Sequence, residues 1–180
     1  MPRPPLARER VLDAFETILI DDGERAATLD AVARRAEVSK GGLLYHFGSK
    51  EELEAGMIDR LLRLHADDLQ VMATAPEGPV AYYIRTSVME DDGLDRALIA
   101  TSRLAQGGSA AAAAALRTVR REWEEAIRPH VRDEMSLHLV MLVSDGLYFN
   151  NSLGVNGDEP VTPTGDALAQ LVELVQRAVR

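Results

Sequence analysis

Apolar and polar positions alternate with the period of an α-helix along nearly the whole chain, and strictly alternating β-branched runs are absent. The pattern predicts an all-α fold. A first helix spans about 6–20, with Val11, Phe15, Ile18 and Leu19 on one face, and stops at Asp21-Asp22-Gly23. A short helix follows Thr28, an N-cap residue, and carries Leu29, Val32, Ala33 and Ala36 at i, i+3, i+4 and i+7. After a turn at Glu37-Val38, Ser39 caps a third short helix that ends near His46. Ser49 and Glu52 form a capping box that opens a long helix to about residue 72, with Leu53, Met57, Leu61 and Leu64 on one side. Further helices are predicted at about 79–90, 94–105, 109–127, 133–153 and 163–179. The last of these starts from the pair Thr162-Pro163. A division near residue 50 separates an N-terminal domain, 1–50, from a C-terminal domain, 51–180.

Residues 28–47 concentrate the chemistry. Two short helices joined by a tight turn bury Leu29, Val32, Ala33, Val38, Leu43 and Phe47 and leave the start of the second helix exposed. This is the layout of a helix-turn-helix, whose second helix enters the major groove of DNA, a groove about 12 Å wide. Its outward residues are small or hydrogen-bonding: Ser39, Lys40, Gly41, Gly42, Tyr45 and His46. The glycines let the backbone approach base edges, at a cost of about 1 kcal/mol each in helix propensity. Lys50 can neutralise a phosphate, and the amides after Thr28 can meet another.

Charge changes the picture only once it is divided. The net charge is −9, which by itself disfavours nucleic acid. Yet residues 1–50 hold eight basic and eight acidic side chains, so the whole deficit lies in residues 51–180. A neutral N-terminal module can still present a basic face.

The stretch resembles the DNA-binding domain of the TetR family of bacterial repressors. Residues 8–53 follow the family pattern nearly throughout, in Thr28-Leu29-Asp30-Ala31-Val32-Ala33, Val38-Ser39-Lys40-Gly41, Tyr45-His46-Phe47 and Ser49-Lys50-Glu51-Glu52-Leu53. The resemblance implies an all-helical homodimer with three N-terminal helices on double-stranded operator DNA. It also implies a variable C-terminal domain that binds a small molecule and then releases the DNA. By position, Thr28, Ser39, Lys40, Gly42, Tyr45, His46 and Lys50 fall where the family contacts DNA. Glu37 departs from the family's usual turn glycine. A left-handed backbone there costs about 1–2 kcal/mol, and an extra negative charge faces the DNA. Residues 116–127 and 139–149 are similar to a subset with short C-terminal domains, some of which answer to multiple drugs.

For the effector, the expected pocket residues are Met57, Leu61, Tyr82, Tyr83, Met89, Trp123, Met135, His138, Met141, Asp145 and Tyr148, because methionine and aromatic side chains make adaptable apolar walls. Ordinary core filling accounts equally well for any one of them. His138 reads as a satisfied core histidine or a pocket residue. Asp145, within an apolar run, either hydrogen-bonds nearby backbone or offers charge to a cationic ligand. The second option predicts that small hydrophobic cations bind more tightly than neutral analogues. The helix at 135–149 is apolar on nearly all sides, and the last helix carries Leu168, Leu171, Val172, Val175 and Val179 on one stripe. Together they suit a four-helix bundle across a two-fold axis, with Val172 and Val175 in the interface.

Several classes are disfavoured. There is no cysteine, no nucleophile–base pair, no phosphate loop and no metal-ligand constellation, so neither enzyme activity, a metal site nor a cofactor is expected. No apolar run approaches a membrane span, and the first ten residues lack a signal-peptide apolar region, so a cytoplasmic protein is expected. The expected function is a ligand-responsive transcriptional repressor. The alternative is a DNA-binding or interaction protein with no small-molecule effector.

Overall fold

A computed structural model describes residues 5–88, 92–153 and 162–180. Among them nine α-helices form, and no strand is present. They are α1 (Pro5–Asp21), α2 (Leu29–Arg35), α3 (Lys40–His46), α4 (Lys50–Thr74), α5 (Pro79–Thr86), α6 (Gly93–Gln106), α7 (Ala110–Ile127), α8 (Glu134–Leu153) and α9 (Gly165–Val179). Short 3₁₀ turns occupy Glu24–Ala26 and Arg128–His130.

The helices group into two compact units. The first comprises residues 1–65 and 93–119, the second 66–92 and 120–180, so the division falls within α4 and α7. The first unit thus contains more than the N-terminal fifty residues: α6 packs against α1. Its core is built from the apolar stripes of α1 (Val11, Leu12, Phe15, Leu19), α2 (Val32) and α3 (Leu43), with Phe47, Leu53, Met57 and Leu61. Gly56 is required there, because a Cβ would lie 2.7 Å from the Phe47 ring.

The second unit is organised around Met72, Val80, Tyr83, Ile84, Ile127, Leu137, Val140, Met141, Leu147, Val175 and Val179. Helices α5, α8 and α9 pack on one another there. The Ser87 hydroxyl donates to the Tyr83 carbonyl at 2.6 Å and lies 2.7 Å from Ser144 Oγ, which joins α8 to the end of α5 by a buried polar link.

Local signals explain most helix starts. Thr28 Oγ1 accepts from the Ala31 N–H (3.2 Å), Ser39 Oγ from the Gly42 N–H (3.0 Å) and Ser49 Oγ from the Glu52 N–H (3.2 Å). Glu52 reaches back to the Gly48 N–H (2.8 Å), one residue beyond the cap itself. Asp133 caps α8 through the Ser136 N–H (2.8 Å). Two boundaries differ from the sequence pattern. Helix α5 ends at Thr86, where Ser87 turns its hydroxyl back onto the backbone. Helix α9 begins at Gly165 after Thr164, and neither the Thr162-Pro163 start nor a side-chain cap is used.

Candidate nucleic-acid interface and second-unit cluster

Helices α2 and α3 are joined by a turn in which Glu37 takes a positive φ of 54°, the left-handed geometry the sequence implies. Arg10 of α1 stabilises the turn: its Nη2 donates to the Ala36 carbonyl at 2.8 Å and lies 3.4 Å from the Glu37 carboxylate. The extra negative charge expected to face DNA is therefore met by a cation of the same unit.

The start of α3 is open to solvent. Leu43 and Phe47 anchor it in the core, and Lys40, Gly41, Leu44 and Tyr45 are exposed. Tyr45 is 84% exposed, and its ring packs edge-on against His46 with ring centroids 5.2 Å apart. Ser39 spends an acceptor site on the Gly42 N–H and keeps its O–H as a donor. A Cβ on Gly42 would sit close to Ser39 Oγ, at 3.2 Å, whereas Gly41 faces open space. Thr28, Ser39, Lys40, Gly41 and Tyr45 are exposed, and Gly42, His46 and Lys50 are half-buried. Both lysines are already paired: Lys40 Nζ lies 3.0 Å from Asp30, and Lys50 is bonded to Glu24.

In the second unit the Asp68 carboxylate accepts from the Tyr82 hydroxyl (2.8 Å) and from Trp123 Nε1 (2.9 Å). Trp123 also packs against Tyr83 with ring centroids 5.4 Å apart. Burial, then the bond to Asp68, pushes the Tyr82 pKa up, and burial pushes Tyr83 up as well.

Family models match both parts of the chain. The model described as "Bacterial regulatory proteins, tetR family" covers residues 11–55, and "Tetracyclin repressor-like, C-terminal domain" covers 77–176, more than half of the chain. The protein belongs to the TetR family.

Among TetR-family relatives, the regulator BetI of Rhizobium meliloti is 36% identical over 90 residues, which are 48% of this chain and 44% of BetI. The first curated relatives it matches are each covered for less than half of their length. Solved structures share the fold along the chain. Salmonella enterica GusR superposes with a TM-score of 0.67 at 17% identity, over 99% of this chain and 98% of that one. The multidrug binding protein EbrR, solved with imidazole, gives 0.56 at 19% identity, over 99% and 97%.

The TetR-family chain distributes the expected effector residues unevenly. Met57 and Leu61 are fully buried in the core of the first unit. Tyr82, Tyr83, Trp123 and Met141 gather in and around the core of the second, and Tyr148 is half-buried there. Three expectations need correction. Met135 is 73% exposed, because it lies on the face of α8 turned away from Leu137 and Val140. His138 is exposed, with Nε2 3.7 Å from Glu134 one turn earlier, and is not a core histidine. Asp145 is also exposed; Arg120 Nη1 holds its two oxygens at 2.6 and 2.8 Å, so its charge is already matched. Met89 lies outside the described residues.

A cleft of about 390 Å³ in the first unit, lined by residues such as Asp13, Glu16, Arg60 and Arg96, shares no residue with the expected effector set. Its charges pair among themselves. Sequence reasoning missed Asp68, Glu24 and this network. Only the last left a signal, in the i, i+4, i+7 spacing of Glu9, Asp13 and Glu16. Among the described residues no His, Cys, Asp and Glu group is placed to hold a metal, and no helix is long and apolar enough to cross a membrane.

Proposed function

We propose that the protein is a cytoplasmic, ligand-responsive transcriptional repressor that binds a palindromic operator as a homodimer. Residues 1–50 form the DNA-binding part, and residues 51–180 the effector and dimerisation part. The observation that carries the reading is the solvent-facing side of α3: an exposed Tyr45 in its last turn and a capped, glycine-containing N-terminal end that a groove can admit. Thr28, Ser39, Lys40, Gly41, Gly42, Tyr45, His46 and Lys50 are the contact residues.

Dimerisation is supported by α8 and α9. Met135, Leu139, Leu142 and Phe149 recur at i, i+4, i+7 and i+14 on the exposed face of α8, and Leu174 is exposed on α9. An apolar stripe of this kind is costly in water unless a second chain covers it. Two heads must then meet half-sites about 34–36 Å apart or a multiple of that, so a small change in their separation breaks register.

The effector is a small apolar molecule that meets Tyr82, Tyr83, Trp123, Met141 and Tyr148. A positive charge on it is favoured by the Asp68 carboxylate, which accepts from two neutral donors, the Tyr82 hydroxyl and Trp123 Nε1. Asp145 no longer supports that preference. The ligand acts by binding the DNA-free state more tightly than the DNA-bound one.

The test uses full-length protein bound to a labelled duplex selected from a random pool. Tetraphenylphosphonium and a neutral tetraphenyl analogue are titrated against it, with Trp123 fluorescence and DNA release as readouts. The expected result is quenching and release at lower concentration for the cation. Equal potency rejects the charge preference. Binding to DNA without response to either compound favours the alternative, a DNA-binding protein with no effector of this class.

A further inference from the structure

Glu24 occupies the 3₁₀ turn just before α2, and its carboxylate bonds Lys50, the first residue of α4. Both side chains are about three-quarters or two-thirds withdrawn from solvent, so this is a seated pair, unlike the more exposed Lys40–Asp30 contact. The seat is the glycine turn that ends α6. A Cβ on Gly107 would fall 2.7 Å from Glu24 Cγ and 3.1 Å from its Cδ, so the side chain lies directly on the bare backbone at that point. The turn is itself fixed: Gly108 has a φ of 101°, and the Gly107 and Ser109 N–H groups bond the Arg103 and Leu104 carbonyls. One carboxylate thus touches the end of α6 and holds the lysine at the start of α4, all within the first unit.

Resting on the DNA-binding reading above, we propose that Glu24 is a built-in competitor for the phosphate that Lys50 would neutralise, held in place by the Gly107–Gly108 turn. Lys50 can donate to a phosphate only by leaving or sharing Glu24, and a carboxylate next to the backbone phosphates repels them. A shift of the α6 terminus relative to Glu24 alters where the carboxylate sits, and so how readily Lys50 is released. The pair lowers sequence-independent attraction, which depends on free cations, and so leaves more of the discrimination to α3. It is a specificity and regulatory element of the same interface, distinct from the groups that read DNA.

The experiment measures binding of full-length Glu24→Gln, Lys50→Met, the double variant, Gly107→Ala and Tyr45→Ala to the selected duplex and to a random-sequence duplex, from low to moderate salt. Circular dichroism confirms that each is folded. Glu24→Gln keeps the shape and removes the charge. The expected result is about three- to tenfold tighter binding to both duplexes, with the gain larger on random DNA and log K falling more steeply with log salt by about 0.9, one additional phosphate. Lys50→Met then costs more in the Glu24→Gln background than in the wild type. Gly107→Ala, which pushes Glu24 off its seat, moves affinity in the same direction as Glu24→Gln. Unchanged affinity and slope in Glu24→Gln, with Tyr45→Ala still weakening the selected duplex, overturns the competitor while leaving the DNA-binding reading intact. An effect of Glu24→Gln without one of Gly107→Ala overturns the tie to α6. Failure of the wild type to bind any duplex overturns the DNA-binding reading itself.

Discussion

Arg60 on α4 and Glu16 on α1 hold opposite charges 3.3 Å apart, with both side chains more than nine-tenths withdrawn from water. Neither is left with one partner. Arg60 also meets Glu9 (2.7 Å) and Asp13 (2.8 Å), and Glu16 accepts from Arg96 Nε of α6 at 2.8 Å. Desolvation opposes the Arg60 charge, and the bonds to Glu9 and Asp13 more than offset it, so its pKa is raised. The acids at i, i+4 and i+7 of α1 therefore serve as the counter-charge that lets an arginine pass through the packed side of α4.

Glu16→Ala is expected to destabilise the protein by about 2–4 kcal/mol, because it strips the buried Arg60 guanidinium of one partner and Arg96 of one acceptor. Glu16→Gln should cost less, since the amide oxygen still accepts. Urea unfolding followed by circular dichroism measures both. A loss below about 0.5 kcal/mol for Glu16→Ala, the range of ordinary surface substitutions, would contradict the structural role.

Tyr45→Ala separates function from folding. The side chain is almost fully exposed, so the melting temperature should stay within the range of a neutral surface change. Affinity for the selected duplex should fall about five- to 150-fold, as for loss of one good base contact worth about 1–3 kcal/mol. Fluorescence anisotropy with labelled DNA checks this, and unchanged affinity would remove Tyr45 from the interface.

Leu142→Glu and Val175→Glu should behave differently. Leu142 is 65% exposed on the apolar stripe of α8, whereas Val175 is 3% exposed in the core of its own unit. The sequence stripe that assigns Val175 to a subunit interface is thus corrected: α9 uses it to pack on its own chain. Sedimentation velocity should find Leu142→Glu folded and monomeric, and Val175→Glu unfolded or aggregated. A Leu142→Glu dimer as tight as the wild type would place the interface elsewhere.

The cap of α8 carries a pH signature. Ser136, whose backbone N–H donates to the carboxylate at 2.8 Å, holds the Asp133 carboxyl below the usual aspartate range. A carboxyl whose folded pKa is depressed contributes stability that is fully present above its unfolded value and is lost as pH falls through the folded one. Asp133→Ala should therefore lower the melting temperature at pH 7, and the gap to wild type should shrink as pH drops below about 4. A gap that stays constant down to pH 2 would mean that the carboxylate is not the cap.

Helix existence and the helix-turn-helix could be read directly because their causes are local. Thr28, Ser39 and Ser49 cap the helices they precede, period-3.6 stripes select the buried faces of α1 to α3, and Glu37 reports a left-handed turn at the one position where glycine is usual. Such signals act within a few residues, so a linear chain displays them in full. The start of α9 shows the limit. Thr162-Pro163 is a sound local signal, yet packing places the first turn two residues later.

Only the tertiary structure decided which charges are free and which are spent. Asp145 looks stranded in an apolar run until Arg120, twenty-five residues away, is brought to 2.6 Å, and Lys50 looks available until Glu24, twenty-six residues away, is found against it. Asp68 looks like a surface acid until Tyr82 and Trp123 close on it. Electrostatic state depends on partners a few ångströms apart, and in an all-helical protein these come from different helices whose register no local pattern encodes. The same holds for apolar faces. The sequence determined that α8 and α9 are apolar, but packing alone decided that Val175 points inward while Leu142 and Leu174 remain uncovered.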